Sequence, residues 1–242
     1  MPLKNKIVFV TGSGGGIGRE ICLSLAKEGC KIVQFGGNSI DKLNETSRLI
    51  KELGAESHIF AGDLTNDSVL NDSFSSAIKV VGGIDVLINN AGVAHNASLI
   101  ETSAETFDRI MKINARTPYL LCGLALPYLK KSDYATIINL ASVVSHAGYA
   151  NQSAYSASKH ALLGFTKSLA AEVYKDGVRV HAISPGGVYT DMVKISRPDL
   201  KPDGMIMPKE IADIVNFLLK NRGNAVIDEI IVHRLNKEPF LV

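Results

Sequence analysis

The fold is decided at the stretch Val10-Thr11-Gly12-Ser13-Gly14-Gly15-Gly16-Ile17-Gly18-Arg19, which joins an apolar run to a segment with helical spacing. Five glycines among the seven residues from Gly12 to Gly18 permit a tight turn and close approach of a ligand to the backbone. A helix that begins here offers unpaired N–H groups and the positive end of its dipole to a phosphate. The spacing G-x-G-x-x-G fails because Ile17 stands at the third glycine position, whereas Thr-Gly-x-x-x-Gly-x-Gly fits.

Short apolar runs rich in β-forming residues alternate with longer segments of helical spacing along the chain. The seven runs that predict strands are Ile7–Val10, Lys31–Phe35, Ser57–Ala61, Ile84–Ile88, Thr136–Leu140, Arg179–Ile183 and Val226–Val232. The alternation predicts an α/β fold in which a Rossmann-type doubly wound sheet of mostly parallel strands carries helices on both faces. No linker interrupts it, so a single domain is expected over residues 1–242. The irregular stretch at about residues 186–207 is long for a connection and is a candidate lid.

Composition and charge exclude several classes of function. The chain has 242 residues, 46% of them hydrophobic, and a net charge of +2 without a basic stripe that would suit nucleic acid. The three cysteines, Cys22, Cys30 and Cys122, fit neither a disulfide framework nor a zinc spacing, so no metal site is expected. The longest apolar stretch, Tyr119 to Leu126, is too short to span a bilayer, and no signal-peptide pattern begins the chain. We therefore expect a cytoplasmic protein with no membrane partner.

The ends of the next predicted strands indicate a dinucleotide site beside the glycine turn. Asp63 follows strand three and Asn89-Asn90-Ala91-Gly92 follows strand four, where the carboxyl ends of strands border a crevice. An acid at the end of strand two often binds the ribose hydroxyls of NAD, but residues 34–39 include no carboxylate, and the first one follows at Asp41. Because an acid would repel a 2′-phosphate, its absence weakly favours NADP over NAD. The candidates to contact that phosphate are Asn38, Ser39, Arg19 and Lys42.

A second group, Ser142, Tyr155 and Lys159, has the chemistry of a proton-transfer site. Tyrosine and lysine at i and i+4 lie one turn apart on the same face of a helix. A lysine cation there is expected to lower the pKa of the phenol from its usual value of about 10, which makes it a usable proton donor and acceptor. Ser142, at the end of a predicted strand, is placed to hold a carbonyl oxygen against the phenol. Taken alone, Tyr-x-x-x-Lys is a weak pattern.

All these motifs occur together and in one order along the chain. They are Thr11-Gly12-x-x-x-Gly16-x-Gly18, Asp63, Asn89-Asn90-Ala91-Gly92, Asn114, Ser142, Tyr155-x-x-x-Lys159 and Pro185-Gly186. In this combination the whole chain resembles the short-chain dehydrogenase/reductase (SDR) family and is similar to its 3-oxoacyl-[acyl-carrier-protein] reductase-like members. The resemblance implies one NAD(P)-binding domain and hydride transfer between nicotinamide and a carbonyl/alcohol substrate.

The resemblance also implies a role for each catalytic residue. Tyr155 would be the general acid/base, and Lys159 would lower its pKa and bind the nicotinamide ribose. Ser142 would position the substrate oxygen, and Asn114 would hold a water that links the lysine to solvent. Thr190 would bind the nicotinamide carboxamide. The implied cofactor contacts are Gly12, Gly14, Gly16, Ile17, Gly18, Asn38, Asp63, Leu64, Asn90, Ala91, Gly92, Tyr155, Lys159, Pro185, Gly186, Val188 and Thr190.

The sequence is compatible with more than one class of substrate. The candidate pocket residues are Val143, His146 and Tyr149, although a turn or surface role is the commoner one for such a histidine. Members that act on acyl carrier protein carry basic residues where this chain has Asp133 and Asp176, so a small carbonyl or alcohol ranks above a carrier-bound one. A third alternative is a dinucleotide sensor or scaffold without catalysis. Family members also build dimers or a homotetramer from the last strand and two long helices, here expected at about Ala115–Leu129 and Ser153–Tyr174.

Overall fold

The computed structural model describes residues 3–37, 39–196 and 201–238 of the protein. Within them, the seven strands are β1 Ile7–Thr11, β2 Lys31–Phe35, β3 Ser57–Phe60, β4 Val86–Asn89, β5 Thr136–Leu140, β6 Arg179–Pro185 and β7 Glu229–Val232. They form one sheet in the order β3-β2-β1-β4-β5-β6-β7, and every neighbouring pair is parallel. The predicted Rossmann-type sheet is therefore confirmed.

The strand order reverses between β1 and β4, which are neighbours in the sheet although β2 and β3 lie between them in the chain. Their register pairs Val8 with Val86 and Val10 with Ile88, so the two strands end side by side. In a doubly wound sheet the ligand crevice lies outside the carboxyl ends of the strands at such a switch point. The glycine turn follows β1 directly and therefore borders this crevice.

Helices cover both faces of the sheet. In the described residues they are α1 Gly16–Lys27, α2 Ile40–Glu52, α3 Asp67–Val81, α4 Ala104–Met111, α5 Thr117–Leu129, α6 Ser153–Val173, α7 Asp191–Ser196 and α8 Pro208–Lys220. Alternate residues of β1 point to opposite faces: Val10 packs into the core cluster of α1 and α8, and Phe9 into that of α3, α5 and α6. Both side chains are 0% exposed, which is the burial that a sheet covered twice requires.

Several element boundaries differ from the sequence prediction by one to three residues, among them those of β4, β7 and α5. β7 begins at Glu229 and not at Val226, since its pairing with β6 starts at Ala182 and Glu229, and the Ile227 carbonyl accepts a hydrogen bond from the His181 side chain. The helix expected from Ala115 begins as α5 at Thr117, and a π-helical turn, Lys112–Arg116, joins it to α4. Single π-helical turns inside helices are often found at functional sites.

The predicted lid leaves the sheet after β6 and returns before α8. The two ends of the excursion are tied together by a bridge between Val188 and Ile206, with Tyr189 N donating to the Ile206 carbonyl at 2.8 Å. The first part of the lid forms α7, and residues 197–200 lie outside the described residues. Across the described parts of the chain, no helix combines the length and apolar character needed to cross a membrane.

Candidate active site

The glycine turn between β1 and α1 has the shape of an anion cradle. Gly12 has a φ of +67°, and a Cβ on Gly18 would lie 2.3 Å from the Gly12 carbonyl oxygen, so both positions require glycine. Gly15 has extended backbone and would meet nothing within 4 Å if it carried a Cβ. No side chain caps α1, and its first turn holds no acid. The turn therefore fits a pyrophosphate, whose charge the free N–H groups and the helix dipole would stabilise.

Thr11 joins the glycine turn to the end of β4. Its hydroxyl accepts hydrogen bonds from the backbone N–H groups of Asn90 at 3.0 Å and Ala91 at 2.9 Å. The Asn90 side chain returns the contact by donating to the Thr11 and Gly12 carbonyls. Hydrogen bonds across the switch point thus hold Asn90, Ala91 and Gly12 at the crevice.

The end of β2 has no room for an acidic side chain. Gly36 has a φ of +75°, and a Cβ there would lie 2.3 Å from Leu64 Cδ1, so Leu64 fills the space that a side chain would need. Arg19 donates to the Gly14 carbonyl at 2.7 Å and to Thr46 Oγ1 at 3.0 Å, which makes it a brace for the glycine turn. The exposed Lys42 lies against the turn, since a Cβ on Gly14 would be 3.1 Å from Lys42 Cβ. Asn38 lies outside the described residues.

Asp63 is exposed after β3 and forms a local turn. Its Oδ1 accepts hydrogen bonds from Thr65 N at 2.9 Å and Thr65 Oγ1 at 2.8 Å. These bonds, the backbone one first, lower the pKa of the carboxyl group. The turn role that the sequence also allows for Asp63 is thus present, and a contact with adenine stays a prediction.

Ser142 follows β5 and is buried. Its hydroxyl donates to the Pro185 carbonyl at 3.3 Å and accepts from Val144 N at 3.4 Å, where it caps a 3₁₀ turn, Val143–Ser145. The hydroxyl is also close enough to the Tyr155 phenol to lower the pKa of that phenol. The serine is therefore fixed between the ends of β5 and β6, with its hydroxyl against the phenol.

Tyr155 and Lys159 lie one turn apart on α6, as the spacing predicts. Lys159 is buried, its Nζ donates to the Leu140 carbonyl at 2.7 Å, and the same atom lies 6.0 Å from the centre of the Tyr155 ring. Burial lowers the pKa of Lys159 from 10.5 to about 8. Burial also raises the pKa of Tyr155, and the Ser142 hydrogen bond opposes that shift. The net shift of the tyrosine pKa is therefore upward, opposite to the expected lowering, because desolvation of the phenol dominates.

Asn114 is 0% exposed inside the π-helical turn and is not a surface residue. Its Nδ2 donates to the Val93 carbonyl at 2.9 Å and to Ser158 Oγ at 3.0 Å, and its Oδ1 accepts from Val93 N at 2.8 Å. A Cβ on Gly92 would lie 3.3 Å from Asn114 Oδ1 and 3.7 Å from Lys159 Nζ. Asn114 and Lys159 therefore both border Gly92, which leaves room between them.

The predicted contacts after β6 line the opposite side of the crevice. Val188 is buried, and Gly186 N donates to the Val232 carbonyl at 2.8 Å. Thr190 faces the glycine turn, since a Cβ on Gly16 would lie 3.1 Å from Thr190 Cγ2. The Thr190 hydroxyl accepts from Val193 N at 3.4 Å and so caps α7. Its contact with a carboxamide stays a prediction.

The three candidate substrate residues have different surroundings. Val143 is half-buried beside Ser142, and Tyr149 is exposed on the same loop. His146 directs Nε2 to Glu229 Oε1 at 2.7 Å and so contacts the start of β7.

Glu229 and Ser158 were not predicted as site residues. No pattern in one sequence marks either of them, because a helical serine and a glutamate at a strand end are both ordinary.

The sheet order and the glycine turn at the switch point are those of a dinucleotide-binding fold of Rossmann type, and the Ser-Tyr-Lys group adjoins the carboxyl ends of its strands. Residues 6–201 match the family model described as short chain dehydrogenase. The chain belongs to that family, which is one of oxidoreductases.

Individual relatives agree with this assignment. The chain is 36% identical over 186 residues to an uncharacterized oxidoreductase of Thermotoga maritima, with 77% of this chain and 73% of the relative covered. It is 31% identical over 237 residues to the 3-oxoacyl-[acyl-carrier-protein] reductase of Aquifex aeolicus, with coverages of 95% and 96%. The solved alcohol dehydrogenase from the archaeon Thermococcus sibiricus, complexed with 5-hydroxy-NADP, is similar with a TM-score of 0.88 and 26% identity over 98% of this chain and 99% of that one.

Proposed function

We propose that the protein is an NAD(P)-dependent oxidoreductase that interconverts a carbonyl and an alcohol, with Tyr155 as the general acid/base. The observation that carries the proposal is that the Ser142 hydroxyl lies beside the Tyr155 phenol, which is one helical turn from the buried Lys159 on α6. A carbonyl oxygen bound between these two hydroxyl groups would receive a proton from the phenol and a hydrogen bond from the serine. In the reverse direction the phenolate would take the proton from the alcohol.

The bound nicotinamide cofactor would supply the hydride, and the chain's own residues would hold it and manage the proton. The N–H groups that follow Gly15 are suited to the pyrophosphate, and Asn90 and Ala91 border the same crevice. Lys159 stands beside Gly92 and Asn114, so it is suited to pass a proton from the side of Asn114 toward Tyr155. The buried lysine would also offset the negative charge that develops on the phenol.

The cofactor preference that the site favours is NADP. Leu64 occupies the space beside Gly36, so the end of β2 cannot offer a carboxylate to a 2′-hydroxyl from that position. The exposed side chain of Lys42 instead begins beside the glycine turn, where its Cβ would lie 3.1 Å from a Cβ on Gly14. The complex of the Thermococcus sibiricus relative with 5-hydroxy-NADP supports the same choice.

The test begins with fluorescence titration of the protein with NADPH and NADH, followed by a panel of carbonyl substrates with the tighter cofactor. Tyr155→Phe should retain cofactor binding and lose at least about 100-fold in turnover, which is the usual contribution of general acid/base catalysis. Tyr174→Phe is the matched control, because Tyr174 is 65% exposed beyond the end of α6. A Tyr155→Phe protein with wild-type turnover would refute the proposal. Cofactor binding without turnover on any substrate would instead support a dinucleotide sensor.

A 3-oxoacyl-acyl-carrier-protein reductase is the second candidate, and the similarity to the Aquifex aeolicus enzyme favours it. The negative charges of Asp133 and Asp176 weigh against this candidate, because an acidic carrier protein would be repelled by them. Asp176 pairs with Lys130 at 2.8 Å and Asp133 pairs with Lys6 at 2.7 Å, so nearby cations are already neutralised. Faster turnover of a carrier-bound substrate than of its free thioester analogue, with strong salt dependence, would establish this candidate.

Assembly as a homo-oligomer stays a proposal, as does a cytoplasmic location. Support for assembly comes from apolar side chains on the outer surface of the helices, where Tyr119 on α5 is 60% exposed and Phe107 on α4 is 40% exposed. Light scattering coupled to size-exclusion chromatography measures the mass directly. A monomer at micromolar concentration would contradict the proposed dimer or tetramer.

A further inference from the structure

A partly buried carboxylate, that of Glu229, contacts the loop that follows Ser142. Glu229 Oε1, at the start of β7, is 2.7 Å from His146 Nε2 and accepts a hydrogen bond of 2.5 Å from Ser184 Oγ. The Glu229 and His146 side chains are only 18% and 21% exposed, and Ser184 is fully buried. Because a carboxylate can only accept, Nε2 is the nitrogen of His146 that carries the proton.

These contacts surround the groups that hold Ser142. His146 follows the 3₁₀ turn that Ser142 caps, and Ser184 immediately precedes Pro185, whose carbonyl accepts the Ser142 hydrogen bond. One carboxylate oxygen therefore binds the loop after Ser142 on one side and the strand end opposite Ser142 on the other. The resulting ring runs from Ser142 through Pro185, Ser184, Glu229 and His146, and back to Ser142 along the chain.

The ring links three separate pieces of backbone, which are the end of β5, the end of β6 and the start of β7. The Ser142 hydroxyl has only long hydrogen bonds to backbone in the described residues, at 3.3 and 3.4 Å. The shorter contacts of Glu229 are thus better suited to fix the separation of these strand ends than the contacts of the serine. A displacement of a reacting group by about 1 Å can cost on the order of 100-fold in rate, so this separation matters for catalysis.

We propose that Glu229 and His146 are positioning residues that hold the Ser142 loop against the end of β6. The inference rests on the proposed function, because it assigns the pair to the catalytic serine of that reaction. It also assigns His146 to the scaffold of the site and not to substrate contact.

The test compares Glu229→Ala with Glu56→Ala, a control variant that removes a similar glutamate–histidine contact elsewhere in the sheet. Glu56 and His58 form the same kind of contact at 2.7 Å, but they lie at β3, the opposite edge of the sheet. Glu229→Ala should reduce kcat by about 10- to 100-fold and weaken NADPH binding much less, because the glycine turn suited to the pyrophosphate follows β1 and not the strands that the pair joins. Glu56→Ala should change neither quantity. Glu229→Gln should recover part of kcat, since its amide oxygen still accepts both hydrogen bonds.

Hydrogen exchange provides a readout that needs no turnover. In Glu229→Ala, the backbone amides of residues 143–149 should exchange at least about tenfold faster, whereas Glu56→Ala should leave them unchanged. If Glu229→Ala fails to fold, His146→Gln takes its place in both measurements. Unchanged exchange in residues 143–149, or an unchanged kcat, would overturn the inference. If the wild type binds cofactor but turns over nothing, the proposed function fails, and exchange alone still decides whether the pair holds the loop.

Discussion

Lys159 Nζ donates a hydrogen bond of 2.7 Å to the backbone carbonyl of Leu140, the last residue of β5. The contact ties α6 to the strand that carries Ser142, so the lysine and the serine share one support. The same ammonium lies 6.0 Å from the centre of the Tyr155 ring. Burial is therefore the main influence on the pKa of each group, and it disfavours the charged form of both.

The buried lysine predicts a pH dependence of stability. Its pKa is lowered from 10.5 to about 8, so between these values the folded state binds fewer protons than the unfolded state. The cost of the buried charge is complete below about pH 8 and disappears as the pH rises toward 10.5. The free energy of unfolding of the wild type should therefore rise relative to that of Lys159→Met across this window, by up to roughly 1 kcal/mol per pH unit. Urea unfolding at a series of pH values measures it, and parallel curves for the two proteins would contradict the expectation.

Two glycines of the turn should respond differently to alanine. Gly18→Ala places a Cβ 2.3 Å from the Gly12 carbonyl oxygen, so it should lower the melting temperature and abolish cofactor binding together. Gly15→Ala meets no atom within 4 Å and has extended backbone, so it should fold normally. Its methyl group would nevertheless occupy the cradle and weaken NADPH binding. Thermal melting measures the stability of both variants, and fluorescence titration measures their NADPH binding. Equal melting temperatures for Gly18→Ala and Gly15→Ala would contradict the predicted clash at Gly18.

Lys42 should contribute to the preference for NADPH. Removing a cation that contacts a 2′-phosphate should weaken NADPH binding by about tenfold, which is the scale of one charge-assisted hydrogen bond, and leave NADH binding unchanged. Lys51→Ala is the matched control, because Lys51 lies in the last turn of the same helix, α2. Fluorescence titrations give the four dissociation constants that are needed. Equal losses for both cofactors in Lys42→Ala would remove Lys42 from the phosphate site.

Asn114 should support the fold as well as any proton route. Asn114→Ala removes both hydrogen bonds to Val93 and leaves a backbone N–H and a carbonyl without that partner, which should cost about 1–3 kcal/mol. Asn221→Ala is the control, since that exposed side chain donates only to the Phe217 carbonyl one turn earlier. Urea unfolding measures both variants. If Asn114→Ala were as stable as the control, its bonds to Val93 would be dispensable, and any loss of turnover would report catalysis alone.

Local sequence patterns predict much of the fold. The strand predicted at Lys31–Phe35 and the one at Thr136–Leu140 have the observed bounds, and both are mostly apolar runs that are buried on two faces. The helix of Tyr155 and Lys159 also starts where its spacing predicts, at Ser153. By contrast, the π-helical turn at Asn114 has no sequence signal, since it depends on the hydrogen bonds that Val93 and Ser158 offer.

The sequence by itself determined the alternation of strands and helices, the glycine turn and the i, i+4 pair on α6, because each depends on residues close together in the chain. Only the tertiary structure decided the state of the site. Burial raised the pKa of Tyr155 against the sequence-based expectation, since desolvation depends on everything that packs around the phenol. Likewise, His146 meets Glu229 across 83 residues of chain. Such a contact follows from the order of β5, β6 and β7 in the sheet, which no local pattern around either residue encodes.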